Sequence, residues 1–314
     1  MRINLRRRFD VNKYVVLIVL IIVIIGLAII NPQFISLDNI LNILRQVSIT
    51  GLIAVGMMMV IITGGIDLSV GAMVGLCSVI GCNYCHPGQN WIIGIIIGIF
   101  IGGLWGFIVG LFVSFLNLPP FIVTLAIKFC IQGIALIYTE ENPISDLSEG
   151  FLNLGKGSFL LLPIPFWILI ISLTVGFILL NNTTYGRYLY AIGGNEESAK
   201  LSGVPVKKTK TIVYMISGMF TGLAAMVLSS RVSAGSPIAG NNYDMDAITI
   251  AVMGGGSLSG GVGTIQGLIV GIFLIGVVTN GLNLLNVSSY WQMIVKGIII
   301  MIAIIMDSIS GKNK

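Results

Sequence analysis

Charged side chains are scarce in this chain: they make up 9% of its residues, whereas about a quarter of an ordinary soluble domain is charged. Hydrophobic residues make up 56%, so the composition predicts a protein of the lipid bilayer. One histidine and four cysteines leave little material for a metal cluster, and we expect no metal and no other cofactor.

Acidic residues are also few, 12 against 17 basic ones, which gives a net charge of +5. In an apolar chain this excess is typical of cytoplasmic segments beside membrane spans, and we expect no nucleic-acid partner. The basic residues near span ends are Arg2, Arg6, Arg7, Arg8 and Lys13, then Arg187, Lys200, Lys207, Lys208 and Lys210, and finally Lys312 and Lys314. The loop 139–164 carries four acidic residues against Lys156 alone, so we expect it outside the cell, and residues 1–13, the loop 181–210 and both termini inside.

Long apolar runs fill most of the chain, and a spanning helix needs about 20 mostly apolar residues. Ten segments suggest an all-α polytopic fold of about ten transmembrane helices in a single transmembrane domain, residues 1–314. The segments are 14–30, 47–63, 68–82, 91–116, 121–138, 165–180, 211–229, 246–253, 265–285 and 290–306. The eighth is too short to cross alone, which leaves open whether residues 246–266 cross fully.

Glycine is abundant, with 40 residues, and two glycine-dense interruptions resemble each other. Residues 64–71 and 254–261 align without gaps, and each lies between two apolar segments, which suggests a chain of two related halves. Helices broken at glycine in corresponding places indicate the working region of a transporter, because unwound backbone at membrane depth must line a cavity or be buried in protein. The alternative is that these glycines only allow close helix packing.

Three ionisable residues lie within or beside the spans: Asp67, Lys128 and Lys296. Each must have a partner, a cavity or an interface to reach. For the two lysines we expect buried pairing that ties helices together, with contact to a substrate as the alternative. For Asp67 we expect a cap on the free N–H groups of Ser69 or Val70. No series of Asp, Glu and His residues runs through the spans, which argues against proton coupling.

Two short motifs suggest chemistry that the rest of the chain does not support. Cys82, Cys85 and His86 fit the C-x-x-C-H pattern of covalent haem attachment, but four residues separate the motif from the next span and no second histidine can serve as an axial ligand. A disulfide or free thiols in a tight turn is the other interpretation. Residues 150–156 read G-x-x-x-x-G-K, but Gly157 stands where a nucleotide-binding loop needs Ser or Thr.

The loop 181–210 contains the signature of a short helix. Asn195 is a good N-cap, Glu196 and Glu197 favour a first turn, Lys200 favours a last turn, and Gly203 a stop. A short capped helix of this kind is suited to be a rigid projection to which another protein binds. The alternative is a turn lying on the membrane surface.

Motifs along nearly the whole chain resemble the ABC importer permeases of the ribose/galactose/xylose branch. They are residues 65–71, 120–125, 186–204, 243–247, 253–261, 280–285 and 288–292. The resemblance implies a non-enzymatic transport subunit of the bacterial plasma (inner) membrane that translocates a monosaccharide, with ribose favoured, by alternating access. It implies four kinds of partner: a cytoplasmic ABC ATPase subunit, an extracytoplasmic sugar-binding protein, a second permease copy and membrane lipid.

The resemblance also implies site residues. The ATPase-coupling set is Gly193, Gly194, Asn195, Glu196, Glu197, Ala199, Leu201, Ser202 and Gly203, and the translocation path would include Asp67, Ser69, Gly71, Gly255, Ser257 and Ser259. The alternatives are a branched-chain amino-acid permease of the same transporter class and, more remotely, a haem-binding redox protein of the membrane.

Overall fold

The computed structural model describes residues 2–311, and for residues 2–15, 303, 304 and 306–311 it describes the backbone alone. The basic side chains before residue 14 are therefore outside the description, as are Lys312 and Lys314, and the orientation of the termini stays a prediction. The described helices are α1 (Arg2–Ile30), α2 (Leu37–Ile62), α3 (Val70–Cys82), α4 (Trp91–Phe115), α5 (Pro120–Thr139), α6 (Glu149–Lys156), α7 (Ile164–Asn182), α8 (Thr184–Gly194), α9 (Glu196–Leu201), α10 (Val206–Val232), α11 (Tyr243–Met253), α12 (Ile265–Leu284) and α13 (Ser289–Gly311). A 3-10 turn, Pro32–Ile35, joins α1 to α2, and a small hairpin pairs β1 (Ser158–Phe159) with β2 (Leu162–Pro163).

The predicted all-α polytopic fold is confirmed. Among the described residues, six helices are long and apolar enough to cross a membrane: α2, α4, α5, α7, α10 and α12. Three shorter apolar helical stretches are Val16–Ile30, Val70–Cys82 and Ser289–Ile302. The count of ten crossings stays a prediction, although each predicted segment coincides with one helix.

Helix α2 extends well beyond the segment that hydropathy predicts. Helix α2 begins at Leu37 rather than near Val47, and Ser36 Oγ caps it by accepting a hydrogen bond from Asn39 N (3.3 Å). Polar residues in this first part of α2 interrupt the apolar run. One of them, Asn39, is nevertheless buried, and its amide exchanges two hydrogen bonds with that of Asn280 in α12, at 3.1 and 2.9 Å. A side-chain pair between distant helices thus accounts for the added length.

Helix α10 defines two ends of the molecule. It begins beside α9, where Lys210 Nζ lies 2.7 Å from Glu196 Oε2, and it ends beside α6, where Ser230 Oγ accepts a hydrogen bond from Gly155 N (2.6 Å). We call these the α9 end and the α6 end. The loops 181–210 and 139–164, which charge assigns to opposite sides of the membrane, lie at these opposite ends.

The tightest helix packing joins α4 to α10. Five glycines repeat every fourth residue along one buried face of α4: Gly94, Gly98, Gly102, Gly106 and Gly110. A Cβ atom on Gly102 would overlap the carbonyl oxygen of Gly218 in α10, and a Cβ on Gly218 would overlap that of Gly102. The two backbones are therefore in direct contact, as small-residue stripes permit in membranes.

Helix α3 is only 13 residues long, and a segment composed mainly of turns packs along it. Residues 233–242 run antiparallel to α3, with Ser78 Oγ donating to Ser236 O (3.0 Å) and Gly71 packed on Gly240 at the start of the helix. Because 13 helical residues span about 20 Å, α3 is shorter than the roughly 30 Å hydrocarbon core of a bilayer, and its N-terminus is buried inside the protein.

We predict that Gly102→Ala lowers the stability of the protein, whereas Gly133→Ala does not. The added methyl group at residue 102 must separate α4 from α10, a cost of roughly 1–3 kcal/mol. A Cβ on Gly133 in α5 meets no atom within 4 Å, and alanine has the higher helix propensity. Thermal unfolding of the detergent-solubilised variants measures both effects, and equal melting temperatures would contradict the packing described here.

Candidate functional site

Helix α9 has the caps that the sequence predicts. Asn195 Oδ1 accepts a hydrogen bond from Ser198 N (2.7 Å) at its start. At its end Gly203 has a φ of +84°, its N–H donates to Lys200 O (3.1 Å), and the next N–H, of Val204, donates to Ala199 O (3.1 Å). This is the two-bond Schellman arrangement that favours glycine, so α9 is a helix fixed at both ends.

One face of α9 holds it to the protein and the other is free. Ala199 is buried in a small apolar cluster with Ile192 of α8 and Val206 of α10. Leu201 is 84% exposed, and Glu197 and Lys200 are exposed as well. Of the predicted coupling residues, Ala199 therefore anchors the helix, whereas Leu201 offers an apolar side chain to a partner.

Helix α8 precedes α9 and is not evident in the sequence. Its last two residues are Gly193 and Gly194 of the predicted coupling set. The hydroxyl of Tyr190 donates a hydrogen bond to Gly263 O (2.8 Å), and its burial raises the pKa of this hydroxyl above the ordinary value of 10. The tyrosine therefore stays protonated at physiological pH and remains a donor.

The two glycine-rich interruptions end their helices in the same way. In α2 the N–H of Gly64 (φ +76°) donates to Ile61 O and that of Gly65 to Val60 O, at 2.9 and 3.2 Å. In α11 the N–H of Gly255 (φ +85°) donates to Val252 O and that of Gly256 to Ala251 O, both at 2.9 Å. Hydrogen bonding thus matches Gly64 with Gly255, one residue away from the ungapped alignment, which pairs Gly64 with Gly254. We call residues 63–69 the first break and residues 254–264 the second break.

Both breaks meet the end of α8 at the α9 end of the molecule. Gly261 N donates to Ile62 O (2.8 Å), which joins the second break to the end of α2. A Cβ on Gly193 would overlap both Ile62 O and Gly261 N, and a Cβ on Gly260 would lie 2.9 Å from Gly193 O and from Gly64 N. We call this contact of Gly64, Gly193, Gly260 and Gly261 the glycine junction. It places the predicted coupling segment against both breaks.

The predicted path residues separate into two environments. Asp67, Ser69 and Gly71 are buried at the start of α3, whereas Gly255 and Ser259 of the second break are exposed and Ser257 is partly exposed. Asp67 caps as predicted, since its Oδ1 accepts hydrogen bonds from Ser69 N (2.9 Å) and Ser69 Oγ (2.5 Å). Its Oδ2 has no hydrogen-bond partner among the described residues.

Lys128 and Lys296 each pair with an aspartate in the first turn of α11, which confirms the expected pairing between helices. Lys128 Nζ lies 2.5 Å from Asp244 Oδ2, and Lys296 Nζ lies 2.8 Å from Asp246 Oδ2. The two aspartates face α5 and α13, so α11 is held between those helices. The sequence places these aspartates near the predicted eighth span but does not identify them as the partners.

The structure does not fit haem at Cys82, Cys85 and His86. Both thiols are free and fully buried, and they belong to an apolar cluster with Phe151 and Met226. Burial raises the pKa of the Cys85 thiol to about 12, so this thiol is unreactive. The His86 ring is held through Nδ1, 2.8 Å from Asp146 O. Of the two interpretations of the cysteines, the structure shows free thiols.

The residues 150–156 lie in α6 rather than in a loop. Their backbone N–H groups point along a helix, and that of Gly155 is bonded to Ser230 Oγ. This geometry differs from the glycine-rich loop that surrounds nucleotide phosphates.

Comparisons with known proteins agree with this architecture. The family model described as "Branched-chain amino acid transport system / permease component" matches residues 39–304. The ribose import permease protein RbsC of Bacillus subtilis is 45% identical over 290 residues, which cover 92% of this chain and 90% of that protein. RbsC of Escherichia coli K12 is 38% identical over 296 residues, 93% and 92% of the two chains.

A further relative is the L-arabinose transport system permease protein AraH of Escherichia coli K12, 35% identical over 303 residues, which cover 96% of this chain and 92% of that protein. No solved structure matches the chain significantly. The family match and these relatives cover most of the chain, including both breaks, α8 and α9. The chain belongs to the permease family whose model is described as "Branched-chain amino acid transport system / permease component".

Proposed function

We propose that this chain is the membrane-spanning subunit of an ATP-driven ABC importer that carries a monosaccharide, with ribose favoured, across the bacterial inner membrane. The observation that carries the proposal is near full-length similarity to permeases named for ribose import. The chain itself is a transport subunit, and a partner hydrolyses the ATP.

The capped helix α9 supports the coupling role. The coupling set is Gly193, Gly194, Asn195, Glu196, Glu197, Ala199, Leu201, Ser202 and Gly203. Within it, the caps at Asn195 and Gly203 make α9 stiff, and the exposed side chain of Leu201 is an apolar anchor for a groove on the cytoplasmic ATPase subunit. Because Ala199 of α9 packs against Ile192 of α8, a displacement of Leu201 by the ATPase subunit moves α9 together with α8.

Alternating access then requires the two breaks to move when α9 moves. In our proposal the path runs beside Asp67 and Ser69 of the first break, Gly71 in the first turn of α3, and Gly255, Ser257 and Ser259 of the second break. The buried N-terminus of α3 supports this, because the positive end of a half-helix and the carboxylate of Asp67 are groups with which sugar hydroxyls form hydrogen bonds.

The proposed assembly contains four kinds of partner. The ATPase subunit binds at the α9 end, which we place in the cytoplasm with both termini, and the sugar-binding protein docks at the α6 end. A second copy of the permease and membrane lipid cover the exposed apolar faces, which include Ile22, Phe100, Phe129 and Ile171. Residues 1–314 form a single transmembrane domain, in which 1–13 and 181–210 are cytoplasmic and 139–164 lie outside.

A branched-chain amino acid is the second candidate substrate, because the matching family is described by that name. An importer for either substrate has the same coupling requirements, so the geometry of α9 does not separate the two.

We predict that ribose, and not leucine, stimulates transport by the assembled complex. The permease is reconstituted in proteoliposomes with the ATPase subunit and the binding protein encoded beside it, and ATP hydrolysis and uptake of radiolabelled ribose or leucine are measured. Stimulation by leucine alone would replace the sugar by the amino acid, and uptake that continues at the same rate without ATP would overturn the assignment as an ATP-driven importer.

We also predict that Leu201→Asp weakens binding of the ATPase subunit about tenfold or more, since an aspartate in an apolar groove leaves a desolvated charge. Co-purification of the ATPase subunit with the permease measures the effect. Leu161→Asp is the matched control, because Leu161 is 90% exposed in the hairpin between β1 and β2, near the α6 end. Equal losses for the two variants would show that Leu201 is not an anchor.

A further inference from the structure

Three segments that are far apart in the sequence form one backbone contact at the glycine junction. The end of α8 contributes Gly193, the first break contributes Gly64, and the second break contributes Gly260 and Gly261. The hydrogen bond from Gly261 N to Ile62 O joins the second break to the last residue of α2, directly before the first break. Because the atoms in contact belong to the backbone, this contact has no flexible side chain that could absorb a displacement.

Tyr190 makes a second connection one turn earlier in α8. Its hydroxyl donates to Gly263 O, which precedes Thr264, the N-cap of α12. Gly263 is buried, and the ring of Tyr190 is partly buried. The side chain thus joins α8 to the far side of the second break, just where α12 begins.

Helices α8 and α9 share an apolar core, so they behave as one corner. Ile192 of α8 is 2% exposed and Ala199 of α9 is 5% exposed, and both pack on Val206. Asn195 ends α8, with its N–H bonded to Ala191 O (3.1 Å), and caps α9. A displacement of α9 is therefore transferred to Tyr190 and Gly193 rather than lost in a flexible link.

From these contacts we propose that Tyr190 is a positioning residue, which forces the second break and the start of α12 to move with α9, while Gly193 transmits the same displacement to the first break. This inference rests on the proposed transport function. Tyr190 contacts neither ATP nor the transported molecule; its hydroxyl determines whether ATP hydrolysis on the partner is converted into movement of the breaks.

The test is the substitution Tyr190→Phe in the complete complex with its ATPase subunit and binding protein, reconstituted in proteoliposomes with ribose. The ring and its packing remain, and only the hydrogen bond to Gly263 is lost. We expect uptake of ribose per ATP hydrolysed to fall about fivefold, the factor that corresponds to one hydrogen bond, while ATP hydrolysis without ribose and the melting temperature stay unchanged.

Tyr188→Phe is the matched control. Tyr188 lies in the same helix and is partly buried, and its hydroxyl forms no hydrogen bond with the part of the chain that the structure describes. Uptake per ATP that is the same for Tyr190→Phe and Tyr188→Phe would overturn the inference. A parallel loss of uptake, hydrolysis and melting temperature in Tyr190→Phe would also overturn it, since the residue would then be structural. If the unsubstituted complex imports no ribose, the proposed function fails instead.

A second pair of variants tests the junction itself. Gly193→Ala places a methyl group against Ile62 O, whereas a Cβ on Gly133 in α5 meets no atom within 4 Å. We predict that Gly193→Ala lowers ribose uptake at least tenfold while ATPase binding persists, and that the control Gly133→Ala transports normally. Normal uptake by Gly193→Ala would contradict the role of the junction.

Discussion

Direct contact between backbones is the constraint on which the rest of this structure depends. Lipid gives helices no hydrophobic reason to associate, so close approach and dispersion must hold them together. The stripe on α4 against α10 is the static form of this contact, with Gly102 packed on Gly218. The glycine junction is its second form, and there it joins the end of α8 to the two breaks.

The interior also holds charges that need one another. Asp244 and Asp246 lie in the first turn of α11, and each is paired with a lysine from a different helix, α5 or α13. Removing one partner from such a pair is costly because the other charge is left buried. The pairs hold the first turn of α11, whereas its last turn leads into the second break. Helix α11 is therefore fixed at its N-terminal end and connected at its C-terminal end, through the second break, to the predicted coupling segment.

The sequence predicts the features whose causes are local. The caps at Asn195 and Gly203, the Asp67 cap and the apolar helices depend on residues a few positions apart, and the structure contains them. The features that it does not reveal depend on contacts between residues far apart in the sequence. The hydroxyl of Tyr190 donates a hydrogen bond to Gly263 O, and the first part of α2 is held by the hydrogen bonds between Asn39 and Asn280. Helix α8 is hidden because it ends in two glycines, which are typical of a loop; the first of them, Gly193, is required by the contact with Ile62 and Gly261.

The central claim is that α9 and the second break move together, and a distance measurement tests it most directly. Spin labels at Glu197 on α9 and Ser259 in the second break, both exposed, are placed in one permease copy of the assembled complex, and Ser259 is paired with Asn142 near the α6 end in a second sample. When ATP binds, the account predicts an unchanged distance from 197 to 259 and a changed distance from 259 to 142. A changed distance from 197 to 259, with that from 259 to 142 constant, would contradict it.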